Sequence, residues 1–220
     1  MKRMLRKYVA EFIGTFAMVF CGTGAIIINQ QTGVITNTGI AITFGLIVMS
    51  IIYALGSISG AHINPAVSIA FTLAGRFPLK HLLPYIISQF SGGVVASVVL
   101  KLLFPHSEKL GASMPSGSDM QSFVLEFILT FFLMLVIISV AAGSKEQGMF
   151  AGIAIGSVVT LEAMFAGPIC GASMNPARSL APAVISGHLE HLWIYLTATI
   201  FGAAFAIPIW KYLHGDASTG

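Results

Sequence analysis

The tripeptide Asn-Pro-Ala occurs twice in this chain, and its residue types suit contact with a small polar molecule. The two copies are Asn64-Pro65-Ala66 and Asn175-Pro176-Ala177. Because Asn is a favoured N-cap and Pro fits the first helical position, each copy predicts the start of a helix. The Asn amide can donate a hydrogen bond to an oxygen atom, and the positive end of the helix dipole repels cations. The pattern therefore predicts contact with an uncharged, oxygen-bearing molecule.

Ionisable side chains within apolar sequence are the other candidates for chemistry. Arg178 directly follows the second Asn-Pro-Ala copy, one helical turn after Asn175, where the first copy is followed by Val67. A charge at membrane depth is costly and indicates a function, and a guanidinium offers several donors in a fixed geometry. Glu11 and Glu126 occupy matching apolar segments, and Glu162 has no counterpart. A purely structural arginine, paired to a carbonyl, is the alternative.

The elements that carry these residues are predicted to be membrane helices, so the fold class is an all-α membrane protein. Of the 220 residues, 56% are hydrophobic and 9% are charged, and the mean hydropathy is +0.89. A soluble domain has about a quarter charged residues, so this balance disfavours one. Stretches of about 20 apolar residues can cross a membrane. Six stretches qualify: 8–28, 39–57, 82–104, 122–142, 149–167 and 190–212. Two more, 64–74 and 175–186, open with Asn-Pro-Ala and are too short.

Basic residues predict the orientation of these spans. With six spans, both termini lie on one side of the membrane, which we call the terminal side. Most Lys and Arg residues fall there: Lys2, Arg3, Arg6, Lys7, Arg76, Lys80, Lys145 and Lys211, against Lys101 and Lys109 on the opposite side. The positive-inside rule then predicts cytoplasmic termini and a multi-pass protein of the cell membrane, with 8–28 retained as a span and not removed as a signal peptide. The net charge of +3 reflects topology and gives no reason to expect nucleic acid as a partner.

An internal repeat relates the two halves of the chain. Glu11-Phe12-Ile13 matches Glu126-Phe127-Ile128, and Gly60-Ala61-His62-Ile63-Asn64-Pro65-Ala66 matches Gly171-Ala172-Ser173-Met174-Asn175-Pro176-Ala177. We expect a single membrane domain over 1–220, with one repeat at 1–105 and the other at 120–214. Because each repeat holds three spans, the second is inverted, and the two half-helices should meet at their N-termini near the midplane. Non-helical backbone at that depth must be buried or line a wet cavity.

These paired loops resemble the signature loops of the aquaporins, or major intrinsic proteins, and the resemblance covers nearly the whole chain. It implies six transmembrane helices plus two re-entrant half-helices in an inverted three-plus-three repeat, usually assembled as a homotetramer with one pore in each subunit. It further implies a passive channel for water and small uncharged solutes that excludes protons and ions. A water molecule accepting from Asn64 and Asn175 together would be turned so that the proton wire is interrupted. No cofactor, metal or enzymatic activity is expected.

The same resemblance implies a four-residue selectivity filter on the side opposite the termini, made of Phe44, Ala163, Ala172 and Arg178. Water-selective members usually carry His at position 163, so the two alanines predict a wider, partly apolar opening. Segments 161–168 and 171–174 are similar to plant nodulin-like intrinsic proteins, which pass glycerol, ammonia or neutral metalloid acids. Phe44 stands where many have Trp or a small residue. Ser179 stands where glycerol facilitators have Asp, which disfavours a dedicated glycerol channel.

Supporting roles follow from the resemblance as well. It assigns Glu11 and Glu126 to hydrogen bonds with the backbone of the signature loops, and His62 to loop structure and pore lining. A proton relay through the two glutamates and a pH gate at His62 are the alternatives. Glu162 could tune Arg178, hydrogen-bond the outer loop, or face an aqueous vestibule.

Other functions compete with this prediction. A strict water channel would need a narrower filter. A coupled secondary transporter would need coupling-ion carboxylates, for which Glu11 and Glu126 are the candidates. A cation channel is disfavoured by Arg178 and by the two positive helix ends. Cys170 lies near the outer vestibule, where it could react with thiol reagents or be a buried apolar residue.

Overall fold

The computed structural model describes residues 2–215, and the regular structure in that range is helical. The helices are α1 (Lys2–Thr32), α2 (Thr36–Ser59), α3 (Pro65–Leu73), α4 (Leu79–Leu103), α5 (Asp119–Ala142), α6 (Lys145–Met149), α7 (Ala151–Cys170), α8 (Pro176–Ser186) and α9 (Leu192–His214). Six of them, α1, α2, α4, α5, α7 and α9, are long and apolar enough to cross a membrane. The predicted fold class, six spans with two short helices, is confirmed.

The helices α3 and α8 begin at the two Asn-Pro-Ala copies, as the capping pattern predicts. Asn64 Oδ1 accepts a hydrogen bond from the Ala66 N–H at 2.9 Å. Asn175 Oδ1 accepts the equivalent bond from the Ala177 N–H, also at 2.9 Å. Both asparagines have extended backbone, and proline occupies the first turn of each helix. Each asparagine therefore satisfies a donor that a helix start would otherwise leave unpaired.

Each span extends beyond its predicted apolar stretch at one end or at both, and α4, α7 and α9 stop one or two residues short at the other end. α1 covers Lys2–Thr32 where the prediction is 8–28, because the polar residues at its ends continue the helix beyond the apolar stretch. The short helix α6 is not predicted. Its start is stabilised by a capping box, in which Ser144 and Gln147 each accept a hydrogen bond from the other's backbone N–H.

Like α4 and α9, the span α7 continues through a proline. Pro168 cannot donate to the carbonyl four residues earlier, which normally ends or kinks a helix. That carbonyl, on Met164, accepts a hydrogen bond from Asn37 Nδ2 of α2 at 2.9 Å. The side chain replaces the missing backbone donor, and α7 continues to Cys170, beyond the predicted stretch of 149–167.

Glycines allow the same close helix contact in both halves of the bundle. Gly92 of α4 lies against the backbone carbonyl of Phe12 in α1, and Gly202 of α9 lies against that of Phe127 in α5. A Cβ atom at either glycine would overlap that carbonyl oxygen. Small residues permit such backbone approach between membrane helices. The outside of the bundle carries exposed apolar side chains suited to lipid, among them Ile13, Leu46, Leu83, Phe132, Phe165 and Phe205.

Candidate pore

The two half-helices meet at their N-termini, and the asparagines bond across the junction. Asn64 Nδ2 donates to the Met174 carbonyl at 2.8 Å, and Asn175 Nδ2 donates to the Ile63 carbonyl at 2.9 Å. Each amide nitrogen carries two hydrogens, so one donor of each remains for another acceptor. In Asn175 the sulfur of Met18, a weak acceptor, also lies 3.6 Å from Nδ2. Both asparagines are among the residues that line a central cavity.

The loops that lead into the half-helices share an unusual backbone. The first has positive φ at Gly60 (89°), Ala61 (47°) and Ile63 (45°), and the second at Gly171 (87°), Ala172 (41°) and Met174 (54°). Such conformations are unfavourable for residues with a Cβ, and they concentrate where the surrounding structure requires them. The same strained path in both halves indicates that the path itself is needed.

Two buried glutamates hold these loops by their backbone donors. Glu11 accepts from the N–H groups of His62 (2.9 Å) and Ile63 (2.7 Å). Glu126 accepts from the N–H groups of Ser173 and Met174, both at 2.8 Å. In a trans peptide the carbonyl of one residue points opposite to the N–H of the next. The carbonyls of residues 61, 62, 172 and 173 therefore point away from the glutamates, and all four residues line the cavity.

A single cavity touches both the loops and the predicted filter. Towards the terminal side it is lined by Phe71 of α3 together with apolar residues of α2, α5 and α7. Its lining also includes all four predicted filter residues, Phe44, Ala163, Ala172 and Arg178. The walls are mostly apolar, and the polar groups are the loop backbone, His62, Ser173, the two asparagines and Arg178. Such a lining offers few attachment points, which suits passage more than tight binding.

At the filter positions a cation faces an aromatic ring. The guanidinium carbon of Arg178 lies 5.1 Å from the centre of the Phe44 ring. Arg178 is only 2% exposed, and its Nη1 donates to the Gly111 carbonyl at 3.0 Å and to Ser113 Oγ at 2.6 Å. Within residues 2–215 nothing accepts from its Nε. The carbonyl of the structural alternative is thus present at Gly111, with the Ser113 hydroxyl as a second acceptor, and the filter role of Arg178 stays a prediction.

The sequence does not predict the contacts made by the connection between α4 and α5, residues 104–118. Gly111 and Ser113 of this connection reach Arg178, and Ser116 donates through its N–H and Oγ to the Ile169 carbonyl of α7. The segment has no periodicity that would indicate which of its polar groups faces inward. Only the folded arrangement of the spans brings it over the filter.

His62 lies at the terminal-side end of the first loop, within a set of aromatic rings. Its ring centre is 4.9 Å from those of Phe71 and Phe77 and 5.3 Å from that of Tyr85. Its Nδ1 lies 3.0 Å from Ser68 Oγ, which places it in loop structure and in the cavity lining together. The pH gate at this residue stays a prediction. Two residues to which the sequence analysis gave no role, Gln89 and Ser68, support the first loop. Gln89 donates hydrogen bonds to Glu11 and to Ser68.

The sequence allows more than one interpretation of two residues of α7, Glu162 and Cys170. Glu162 is 4% exposed, so the vestibule interpretation is wrong, and in the described part of the chain its Oε2 has no hydrogen-bond partner. None of the hydrogen bonds of Arg178 involves it. Cys170 is buried, and its thiol lies 3.5 Å from the Ala166 carbonyl. The interpretation of Cys170 as an exposed thiol is therefore wrong for this conformation.

This fold, with a cavity through its centre and two capped half-helices, defines a membrane channel. Residues 1–210 match the family described as major intrinsic protein, so the chain belongs to that family. It is 49% identical over 209 residues to Aquaporin NIP1-1 of Arabidopsis thaliana, which covers 90% of this chain and 70% of that protein. It is 47% identical over 201 residues to Nodulin-26 of Glycine max, covering 90% of this chain and 74% of that protein.

A solved structure agrees with these matches. The aquaglyceroporin from Plasmodium falciparum superposes with a TM-score of 0.83 at 27% identity, covering 96% of this chain and 97% of that chain. The chain is thus a multi-pass integral membrane protein and a passive channel for water and small uncharged solutes, not an enzyme. The coupled transporter and the cation channel are set aside by the same findings.

Proposed function

We propose that the channel conducts water together with small hydroxylated or similarly uncharged solutes, namely glycerol, ammonia or neutral metalloid acids, and excludes protons and ions. The observation that carries this is the filter composition. Ala163 and Ala172 leave space beside the Phe44 ring and the Arg178 guanidinium, and all four side chains line one cavity. The name of the Plasmodium falciparum relative, an aquaglyceroporin, supports the same solute class.

The filter has two chemically distinct sides. The face of Phe44 can contact the carbon side of a polyol. The guanidinium of Arg178, whose side-chain hydrogen bonds within the described residues use Nη1 alone, can donate from Nη2 to the hydroxyl oxygens of that polyol. A cation in the same place would meet the fixed positive charge of Arg178, which lies 5.1 Å from the centre of the Phe44 ring. Neutral solutes with one apolar edge therefore fit this opening better than ions.

The asparagine pair supplies the second selective step. Asn64 and Asn175 stand at two helix N-termini, each with a partial positive charge of about half a unit. Each has one amide hydrogen committed across the junction. The other hydrogen can be offered to a passing oxygen, and in Asn175 the competing acceptor is the weakly accepting sulfur of Met18. A water that accepts from both would point its own hydrogens outward, so it could not pass a proton along the file. The same field opposes hydronium.

We further propose a homotetramer in the cell membrane with the terminal side in the cytoplasm. The distribution of Lys and Arg supports the orientation. Resemblance to the family supports the tetramer. Native mass spectrometry from detergent tests the assembly, and protease cleavage of a tagged C-terminus in sealed cells tests the side.

The decisive experiment compares water, glycerol and neutral metalloid-acid fluxes in proteoliposomes by stopped-flow light scattering. Fast water flux with solute uptake above that of protein-free liposomes is the expected result. Ala163→His is the matched variant, because it restores the side chain typical of water-selective members. It should lower glycerol uptake by about tenfold and water flux much less. Water flux without any solute uptake in the unmodified protein would replace this proposal with the strict water channel.

A further inference from the structure

Ser113 makes the shorter of the two hydrogen bonds from Nη1 of Arg178, although it lies outside the four filter positions. It belongs to the connection between α4 and α5 and is 8% exposed. We propose that Ser113 is a positioning residue of the filter. Its hydroxyl holds the Arg178 guanidinium at the side of the cavity and connects it by hydrogen bonds to the second Asn-Pro-Ala loop. This inference rests on the proposed function, since it concerns how the filter separates solutes from water.

A continuous chain of hydroxyl groups starts at this contact. Arg178 Nη1 lies 2.6 Å from Ser113 Oγ, which lies 2.8 Å from Ser179 Oγ. Ser179 Oγ in turn donates to Ser173 Oγ, and Ser173 Oγ donates to the Asn175 carbonyl at 2.9 Å. Three hydroxyls therefore connect the filter cation to the backbone of the asparagine at the midplane. All five residues are buried.

The chemistry of the two ends fixes the direction of every bond in this chain. A guanidinium can only donate, so Ser113 must accept from it and keeps its own proton for Ser179. A carbonyl can only accept, so Ser173 must donate to Asn175. Each hydroxyl thus donates once. Ser113 and Ser179 each accept once along the chain, Ser173 also accepts from the Asn175 N–H at 3.4 Å, and neighbouring bonds of this kind strengthen one another. Removing the Ser113 hydroxyl leaves Arg178 without its first acceptor and Ser179 without its donor.

The connection itself is held in place without Ser113. Gly111 packs on Thr23 of α1 at a positive φ of 70°, and Ser116 is bonded to the Ile169 carbonyl of α7. Loss of the Ser113 hydroxyl should therefore release Arg178 and leave the loop folded. The guanidinium would keep one acceptor, the Gly111 carbonyl, and the attraction of the Phe44 ring would draw it into the opening.

The test measures glycerol and water permeability of purified variants in proteoliposomes at equal protein density. In Ser113→Ala the ratio of glycerol to water permeability should fall by about threefold or more, because a charge-assisted hydrogen bond is lost. Ser113→Thr keeps the hydroxyl and should restore the ratio. Ser107→Ala is the matched control, since Ser107 lies in the same connection with the same 8% exposure, and within residues 2–215 its Oγ has no hydrogen-bond partner.

An unchanged ratio in Ser113→Ala, whatever happens to total flux, would overturn the inference. If Ser113→Ala cannot be reconstituted, Ser179→Ala removes the next hydroxyl and should shift the ratio in the same direction. The unmodified protein separates this test from that of the proposed function. If the unmodified protein passes water and no glycerol, the proposed solute range is wrong. The role of Ser113 is then tested by water permeability alone. Ser113→Ala should lower that permeability, and Ser107→Ala should not.

Discussion

The loop before α3 and the loop before α8 follow the same backbone path, but the side chains around them differ. At the terminal side, His62 packs among aromatic rings and Ser68 bonds to Gln89. On the opposite side, the positions matching His62 and Ser68 are Ser173 and Ser179, which belong to the hydroxyl chain that reaches the guanidinium.

The difference separates two tasks of the channel. The shared features are the positive φ angles, the glutamates and the crossed asparagine bonds, and they build the junction of the two half-helices, which needs both halves. The unshared ones give chemistry to one end only, because Val67 occupies the first-half position that Arg178 occupies in the second. Backbone symmetry therefore defines the path of the two loops, and we propose that side-chain asymmetry sets the selectivity.

Removing a loop glutamate is expected to have the largest effect on stability, because the glutamates hold the backbone of both loops. Glu126→Ala leaves two buried N–H groups unpaired, which costs about 1–3 kcal/mol of folding free energy for each group. Glu11→Ala should cost more, because Gln89 also donates to it at 2.8 Å. Unfolding temperature in detergent measures both, with the exposed Glu146→Ala as control. Variants as stable as that control would show that the glutamates do not hold the loops.

Making the second half resemble the first tests the asymmetry directly. Arg178→Val installs the residue found at position 67 and removes the charge from the filter. Glycerol permeability relative to water should rise by about tenfold, and a proton leak should appear in vesicles that contain a pH-sensitive dye. Arg76→Val removes the same charge from a residue that stacks on Trp210, and it should change neither quantity. A filter that still excludes protons without Arg178 would assign that task to the asparagines alone.

The filter can be narrowed by a substitution in α1, which packs against the Phe44 ring. A Cβ atom on Gly22 of α1 would overlap the Phe44 ring, whereas one on Gly24 would only touch Leu100 at 3.4 Å. Gly22→Ala should therefore push the ring towards Arg178 and lower glycerol permeability several-fold more than water permeability. Gly24→Ala is the control on the same helix and should leave the ratio unchanged. Equal loss of both fluxes in Gly22→Ala would mean that the helix shifts and the ring does not.

Local and repeated features of this molecule could be predicted from sequence. Asparagine capping depends on residues two positions apart, so Asn64 and Asn175 predict the starts of α3 and α8. Apolar length predicts the six spans. The glutamates were found because the repeat aligns them, although their hydrogen bonds join positions far apart in the chain.

The rest depends on contacts between segments that have no shared pattern. Ser113 meets Arg178 across 65 positions, and nothing in residues 104–118 distinguishes it from Ser107 or Ser116. Nothing in the sequence distinguishes Gly22 from other helix-packing glycines, and only the structure shows that it packs against the Phe44 ring. For Glu162 the sequence suggested a contact that the structure lacks. Its position beside Ala163 suggested that it tunes Arg178, but the side-chain hydrogen bonds of Arg178 go to Gly111 and Ser113.

The smallest expected effect concerns the proline in α7, a further difference between the halves, since the matching position in α2 is Ser57. Asn37→Ala removes the donor to the Met164 carbonyl and should cost about 1 kcal/mol of stability. In a Pro168→Ala background residue 168 regains its own N–H, so the same Asn37→Ala change should cost almost nothing. A double-mutant cycle on unfolding temperature gives this coupling. If Asn37→Ala costs the same in both backgrounds, Asn37 does not compensate for the proline, and α7 passes through Pro168 for another reason.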